Sequence, residues 1–100
     1  MRLTKLKAQD IARTVQGQER FFNKDGTVFS SLGELAQSCK TMSQDVFNYH
    51  CSSQKCDFAS WVEAVLHDET LAQNIVKAKG VRLTIESYIQ KRIAQLAKYQ

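Results

Sequence analysis

The apolar residues between positions 58 and 66 repeat at the spacing of one face of an α-helix. They fill positions i, i+3, i+4, i+7 and i+8 of the amphipathic pattern and are Phe58, Trp61, Val62, Val65 and Leu66. Asp57 stands in front of them and is a residue type that favours a helix N-cap. The chain contains no Pro, and one hundred residues is the length of one domain. The pattern therefore predicts a helix from about residue 57 in a mainly helical protein.

Similar patterns predict helices along most of the chain. A first helix is expected near residues 4–16, with Gly17 as its stop, and a second near 32–41. Three more helices are expected to start after residue 43, after residue 68 and after residue 84. The helix that starts after residue 68 is expected to end at Gly80, with Val76 facing inward. The expected capping residues are Ser31 (in a capping box with Glu34), Ser43, Asp68 and Thr84.

One segment has a different period. Residues 19–23 and 27–30 flank Asp25-Gly26, a pair that suits a type I′ hairpin turn and would place Phe22 opposite Phe29. The predicted fold class is therefore mainly α: a compact bundle of five or six short helices with one small β-hairpin near residues 19–30. We expect a single helical domain over residues 1–100, with flanking helices at 1–16 and 84–98.

The net charge of +4 is unevenly distributed. Residues 1–25 carry six Lys/Arg against three Asp/Glu, residues 26–70 carry two against six, and residues 71–100 carry six against one. Basic ends of this kind permit nucleic-acid binding, but they could equally pack near the acidic middle of the same chain or of a second copy. The candidate nucleic-acid contacts are Lys5, Lys7, Arg13, Lys77, Lys79, Arg82, Lys91 and Arg92.

The cysteines and histidines suggest chemistry that the spacing does not favour. His50-Cys51 and Cys56-Asp57 resemble a metal cluster, but the two cysteines are five residues apart, whereas zinc sites usually open with a shorter spacing. A thiol nucleophile beside His50 is a further remote possibility. Three cysteines without a recognisable secretory signal favour reduced thiols and a cytoplasmic location. We expect no cofactor, no metal site and no membrane span.

Two sets of residues are candidate interaction sites. Tyr49, His50, Asp57 and Trp61 form either part of a core or a pocket for a partner, and His50 could instead donate to the loop at residues 52–57. The last helix carries a stripe that either closes the domain's own core or pairs with a second copy; its members are Ile85, Ile89, Ile93 and Leu96.

The order and spacing of several motifs resemble a prokaryotic family of unknown function, DUF5752, over about residues 21–78. The motifs are Asp25-Gly26-x-Val28, Ser31-Leu32-x-Glu34-Leu35-Ala36, Met42-Ser43-x-x-x-Phe47-x-Tyr49-His50 and Asp57-Phe58-Ala59-x-Trp61-Val62, followed by Val65, Asp68-Glu69 and Leu71-Ala72. The resemblance implies a helical domain and supplies no reaction. Cys56 stands where the family pattern has Asn, and Cys51 where it has an apolar residue.

These observations together predict a non-catalytic module. We expect a small helical protein-interaction or assembly module that self-associates or binds another protein. A small basic nucleic-acid-binding protein is the alternative, and a metal- or thiol-dependent enzyme is a remote one.

Overall fold

The structure is a computed structural model that describes residues 3–100; Met1 and Arg2 lie outside the described residues. Within that range the chain forms six α-helices, a short 3-10 helix at Gly17–Glu19 and one antiparallel hairpin. The order is α1 (Lys5–Ile11), β1 (Phe21–Phe22), β2 (Val28–Phe29), α2 (Leu32–Thr41), α3 (Gln44–His50), α4 (Asp57–Ala64), α5 (Glu69–Lys77) and α6 (Arg82–Ala97). The mainly helical fold with one small hairpin is confirmed.

One hydrophobic core joins the six α-helices and both strands. Helix α6 packs against α1, α2 and α5, and α4 packs against α5. The largest fully buried apolar side chains come from every part of the chain and are Ile11, Phe29, Leu35, Phe47, Phe58, Val62, Leu66, Leu71, Ile75, Ile85 and Ile89.

Helix α1 is shorter than the sequence predicts. It starts after Thr4, whose hydroxyl accepts from the Lys7 amide at 3.2 Å, and it ends at Ile11. Val15 is buried, as an inward helical position should be, but it lies outside any helix or strand. Its amide donates to the Ser30 carbonyl at 2.8 Å. The helix predicted near residues 4–16 is present, but its predicted end was wrong, because the chain beyond residue 12 runs beside the end of the hairpin.

The hairpin has a different register from the predicted one. Phe21, not Phe22, lies opposite Phe29, and Phe22 lies opposite Val28. The Asn23 amide donates to the Thr27 carbonyl at 2.9 Å, so the loop has three residues and ends in Gly26 at φ 90°. A glycine in this left-handed conformation is typical of the three-residue loop, whereas the predicted two-residue turn would need two positive φ angles.

Three predicted helix starts are confirmed. The side chains of Ser31, Ser43 and Asp68 each accept a hydrogen bond from the amide three residues on. Glu34 completes the first of these differently from the expected capping box, because its carboxylate accepts from the Ser30 amide at 2.7 Å and not from Ser31.

Two other predicted caps were wrong. Helix α4 begins at Asp57 itself. The Asp57 carboxylate pairs with the side chains of His50 and Lys55 and does not cap the helix. Helix α6 begins at Arg82 and not after Thr84, and its N-cap residue Val81 makes no side-chain cap. Val76, predicted to face inward, is 55% exposed, because Leu71, Ala72 and Ile75 supply the buried side of α5.

Candidate functional site: the hairpin and helices α3 and α4

His50 joins the hairpin to two helices. The Lys24 amide donates to its Nε2 at 3.0 Å, and its Nδ1 lies 3.0 Å from Oδ2 of Asp57. A backbone amide can only donate, so Nε2 accepts, and the proton of the neutral ring lies on Nδ1, facing the carboxylate. The ring itself is 6% exposed. His50 thus bonds to the carboxylate at the end of the 52–57 loop, which is one of the roles that the sequence allowed.

An aromatic cluster fills the space beneath the hairpin. Phe21 stacks on Phe29 with 4.6 Å between ring centroids, and its ring also lies 5.1 Å from His50 and 5.4 Å from Phe58. Trp61 meets this cluster edge-on, and its Nε1 donates to the Glu19 carbonyl at 2.8 Å. His50 and Trp61 are therefore parts of the core, and their polar atoms are used within the chain.

The outer side of the same region exposes apolar rings. We name the outer hairpin surface by its residues: Phe22 and Val28, which pair across the strands, and Tyr49 at the end of α3. Phe22 is 56% exposed and Tyr49 58%. Arg20 lies 5.4 Å from the centroid of the Phe22 ring, and the Lys24 ammonium 4.6 Å from that of Tyr49. Tyr49 was a candidate predicted from the sequence, whereas Phe22 and Val28 were not, although the alternation of a correctly registered hairpin would have indicated both.

The Asp57 side chain is more accessible to solvent than the side chain of His50, with which it pairs. Its carboxylate also lies 3.3 Å from the Lys55 ammonium. The ion pair between Lys55 and Asp57 therefore links the 52–57 loop to the start of α4.

Two of the three cysteines form a disulfide. Cys51 and Cys56 are bonded across the loop between α3 and α4, so the expectation of three reduced thiols was wrong for this structure. Their backbones form an isolated antiparallel bridge, which brings the two side chains to the same place. Cys39 is a buried free thiol in α2, and burial raises its pKa to about 12.

The stripe of α6 is part of the chain's own core. Ile85 and Ile89 are fully buried, Leu96 is 3% exposed and Ile93 is half-buried against the core. Of the two interpretations of this stripe, the structure shows the internal one. In this conformation Ile85 and Ile89 can contact no second copy.

The arginines among the candidate nucleic-acid contacts bond within the chain. Arg13 donates to the Val65 carbonyl at 2.6 Å, and Arg82 donates to carbonyls at the C-terminal end of α2 at 2.6 to 3.1 Å. Arg92 makes a bidentate pair with the buried carboxylate of Asp68, with N–O distances of 2.7 and 2.8 Å. The lysines differ: Lys5, Lys77, Lys79 and Lys91 are exposed, and Lys7 is half-buried.

Residues 3–100 contain neither a metal-binding cluster nor a helix that could span a membrane. No group of three or more His, Cys, Asp and Glu side chains in this part of the chain could hold a metal ion. No helix among the same residues is long and apolar enough to cross a membrane.

Comparison with family models, curated proteins and solved structures finds no match for this chain. The resemblance to DUF5752 therefore stays a prediction.

Proposed function

We propose that this chain is a non-catalytic protein-interaction module that works through the outer hairpin surface. The observation that carries the proposal is that the two faces of one hairpin differ, because one face is buried in the core and the other is exposed. Phe21 and Phe29 fill the core, while Phe22 and Val28, on the opposite side of the hairpin, are exposed, and so is Tyr49 at the end of α3. Exposed aromatic side chains are enriched at protein interfaces, where they bury a large area for little lost side-chain freedom.

This surface is held in place before any partner arrives. The hairpin is fixed by three bonds to the rest of the chain: the Lys24 amide to His50, Trp61 to the Glu19 carbonyl, and the Val15 amide to the Ser30 carbonyl. A fixed surface loses little conformational entropy when it binds, so more of the contact energy appears as affinity.

A second copy of the chain is the partner that this surface fits best. Each copy offers both rings and cations, since Arg20 and Lys24 lie beside Phe22 and Tyr49. A cation is attracted to the face of an aromatic ring, so two such surfaces related by a two-fold axis are complementary to each other.

The proposed location is the cytoplasm, which keeps reducible disulfides as dithiols.

Sedimentation of the purified protein at micromolar concentration tests the proposal. We expect a dimer, and we expect Phe22→Ser or Tyr49→Ser to return it to a monomer. Val76→Ser is the matched control, because Val76 is an apolar residue of almost equal exposure at 55% on a different surface. A monomer at every concentration, or equal loss of the dimer in the control, would contradict the proposal.

Nucleic-acid binding is a second candidate, and the exposed lysines favour it. Among residues 3–100 the only lysine in an ion pair is Lys55, so the basic ends keep their lysines for other partners. Retention on a DNA column should then fall steeply with salt, and Lys77→Gln with Lys79→Gln should reduce the slope of log affinity against log salt by about two. Elution at low salt without such a dependence would remove this candidate.

A further inference from the structure

The disulfide lies at a defined place between two helices. Cys51 is the C-cap residue of α3, and Cys56 is the N-cap residue of α4. Their Cα atoms are 4.0 Å apart, and the loop between them is exposed. Both cysteine residues belong to the buried core, at 3% and 6% exposure. A reductant therefore reaches the sulfurs only when the loop that joins them moves locally away from the core.

The loop has a frame of hydrogen bonds that does not involve sulfur. The Ser52 amide donates to the Lys55 carbonyl at 2.7 Å, and the Ser52 hydroxyl accepts from the amides of Gln54 and Lys55 at 3.2 and 3.3 Å. The bond between His50 and Asp57 closes the same loop from outside. These contacts would keep the cysteines adjacent after reduction, so the disulfide can form again within one molecule.

The position of Cys56 favours the reduced state. It caps α4 without a side-chain hydrogen bond to the first turn of that helix, so the amides there lack a side-chain acceptor. A thiolate released at this position would accept from those amides and would lie at the positive end of the helix dipole. Stabilising the thiolate makes Cys56 the better leaving group and makes the disulfide easier to reduce.

We propose that Cys51 and Cys56 form a reversible thiol–disulfide site that exchanges with a dithiol. One thiolate of the dithiol attacks the Sγ of Cys51, the sulfur–sulfur bond breaks, and its electron pair leaves on the Sγ of Cys56. The second thiolate of the dithiol then attacks the mixed disulfide and releases Cys51. Two electrons and two protons pass to the protein, and the dithiol becomes a cyclic disulfide.

Exchange is confined to this pair and has a local structural consequence. Cys39 takes no part, because it is a free thiol in α2 that has no disulfide partner, and burial raises its pKa to about 12. The loop packs closely against the turn between α5 and α6: a Cβ atom on Gly80 would lie 2.8 Å from the carbonyl carbon of Ser52. Reduction loosens the loop against this turn and leaves the helices folded. The proposal does not depend on the proposed function.

Equilibration of the native protein with reduced and oxidised dithiothreitol, followed by alkylation and mass measurement, tests the site. We expect two thiols to become alkylated with reduced dithiothreitol and none after return to the oxidised form, with the far-ultraviolet circular dichroism unchanged. Hydrogen exchange at the amides of residues 52–55 should rise by about tenfold or more in the reduced protein, while the amides of α6 stay unchanged.

The variant with Cys51→Ser and Cys56→Ser is the control, and it should show the loop exchange of the reduced protein under both conditions. A disulfide that resists dithiothreitol until denaturant is added would overturn the proposal. So would loss of helical content on reduction, or a dithiol that does not close again with oxidised dithiothreitol, because each would leave the pair without a reversible function.

Discussion

The molecule contains two regions that are held together differently. The aromatic region consists of the hairpin, α3 and α4, and none of its elements is longer than eight residues. The aliphatic region consists of α5 and α6, of nine and sixteen residues, with Leu71, Ile75, Ile85 and Ile89 buried between them and the rest of the core. Short helices are marginal on their own, so the aromatic region depends on bonds between its elements, whereas α6 gains stability along its length.

The polar contacts of the two regions also differ in exposure. In the aromatic region the carboxylate that pairs with His50 is half-exposed, with 36% of the Asp57 side chain accessible. In the aliphatic region 1% of the Asp68 side chain is accessible, and 13% of its partner Arg92. Loss of a partner should therefore be tolerated in the first region, where water can replace it, and should be severe in the second.

The largest effect is expected for Asp68→Ala. This change leaves the Arg92 guanidinium without its carboxylate and also removes the acceptor for the Leu71 amide at the start of α5. Breaking a buried pair in this way lowers the free energy of unfolding by about 3–5 kcal/mol. Urea unfolding followed by circular dichroism measures it.

Asp57→Ala is the matched control in the aromatic region, since it removes a carboxylate at the start of α4 in the same way. We expect a loss of about 1 kcal/mol or less there, because that carboxylate is accessible to water. Equal losses in the two variants would contradict the distinction between the regions.

Gly80→Ala tests the contact between the two regions. Gly80 has φ 81°, and its Cβ would meet the backbone of Ser52 at 2.8 Å, so the turn after α5 and the Cys51–Cys56 loop would have to separate. Gly26→Ala is the matched control: φ is 90° and no atom lies within 4 Å of the added Cβ. The left-handed conformation costs about 1–2 kcal/mol in each variant.

The collision with Ser52 should add about 1–3 kcal/mol in Gly80→Ala alone. Thermal unfolding of both variants gives the comparison. If Gly26→Ala destabilises the protein as much as Gly80→Ala, the two regions are not in close contact at this turn.

His50→Phe tests how far the aromatic region depends on a polar bond. Phe can replace the ring among Phe21 and Phe58, but it leaves the Lys24 amide and the Asp57 carboxylate without their partner. An unsatisfied amide of this kind costs about 1–3 kcal/mol, and hydrogen exchange at Lys24 should rise more than exchange in α6. The exposed His67 provides the control as His67→Asn, since Asn tolerates the φ of 64° at this position and the change should alter the stability little.

The sequence predicted local features well and distant contacts poorly. The caps at Ser31, Ser43 and Asp68 could be recognised because a cap is formed within four residues. The hairpin register was wrong by one residue, because the loop length is set by the packing of Phe21 on Phe29 as well as by the Asp-Gly pair. The periodicity gave no sign of the pair between Asp68 and Arg92, which are 24 residues apart.

The candidate site shows the same limit. The aromatic positions of α3 and α4 were visible as a pattern, and a bond from His50 to the 52–57 loop was one expectation, but their backbone partners were not visible. His50 receives its hydrogen bond from the Lys24 amide 26 residues away, and Trp61 donates to a carbonyl 42 residues away. A sequence does not show which backbone amide or carbonyl will bond to a given side chain. Only the fold could therefore show which rings are exposed and which belong to the core.

The smallest effect is expected where both partners are exposed, at the pair between Asp10 of α1 and His67 before α5. The hydrogen bond from His67, 3.2 Å away, lowers the pKa of Asp10 below its ordinary value, and the charge of Arg13 contributes further. A lowered folded-state pKa stabilises the protein above the unfolded value, and this contribution is lost as pH falls through the folded value. At pH 7, Asp10→Asn should therefore cost less than about 1 kcal/mol, as exposed pairs do.

The difference in unfolding free energy between this variant and the parent should shrink as pH falls below about 4, and it should be smaller at every pH in a His67→Gln background. A difference that stays constant between pH 7 and pH 3 would show that the carboxylate is not stabilised by His67, and that α1 is held to the aliphatic region by its buried apolar residues alone.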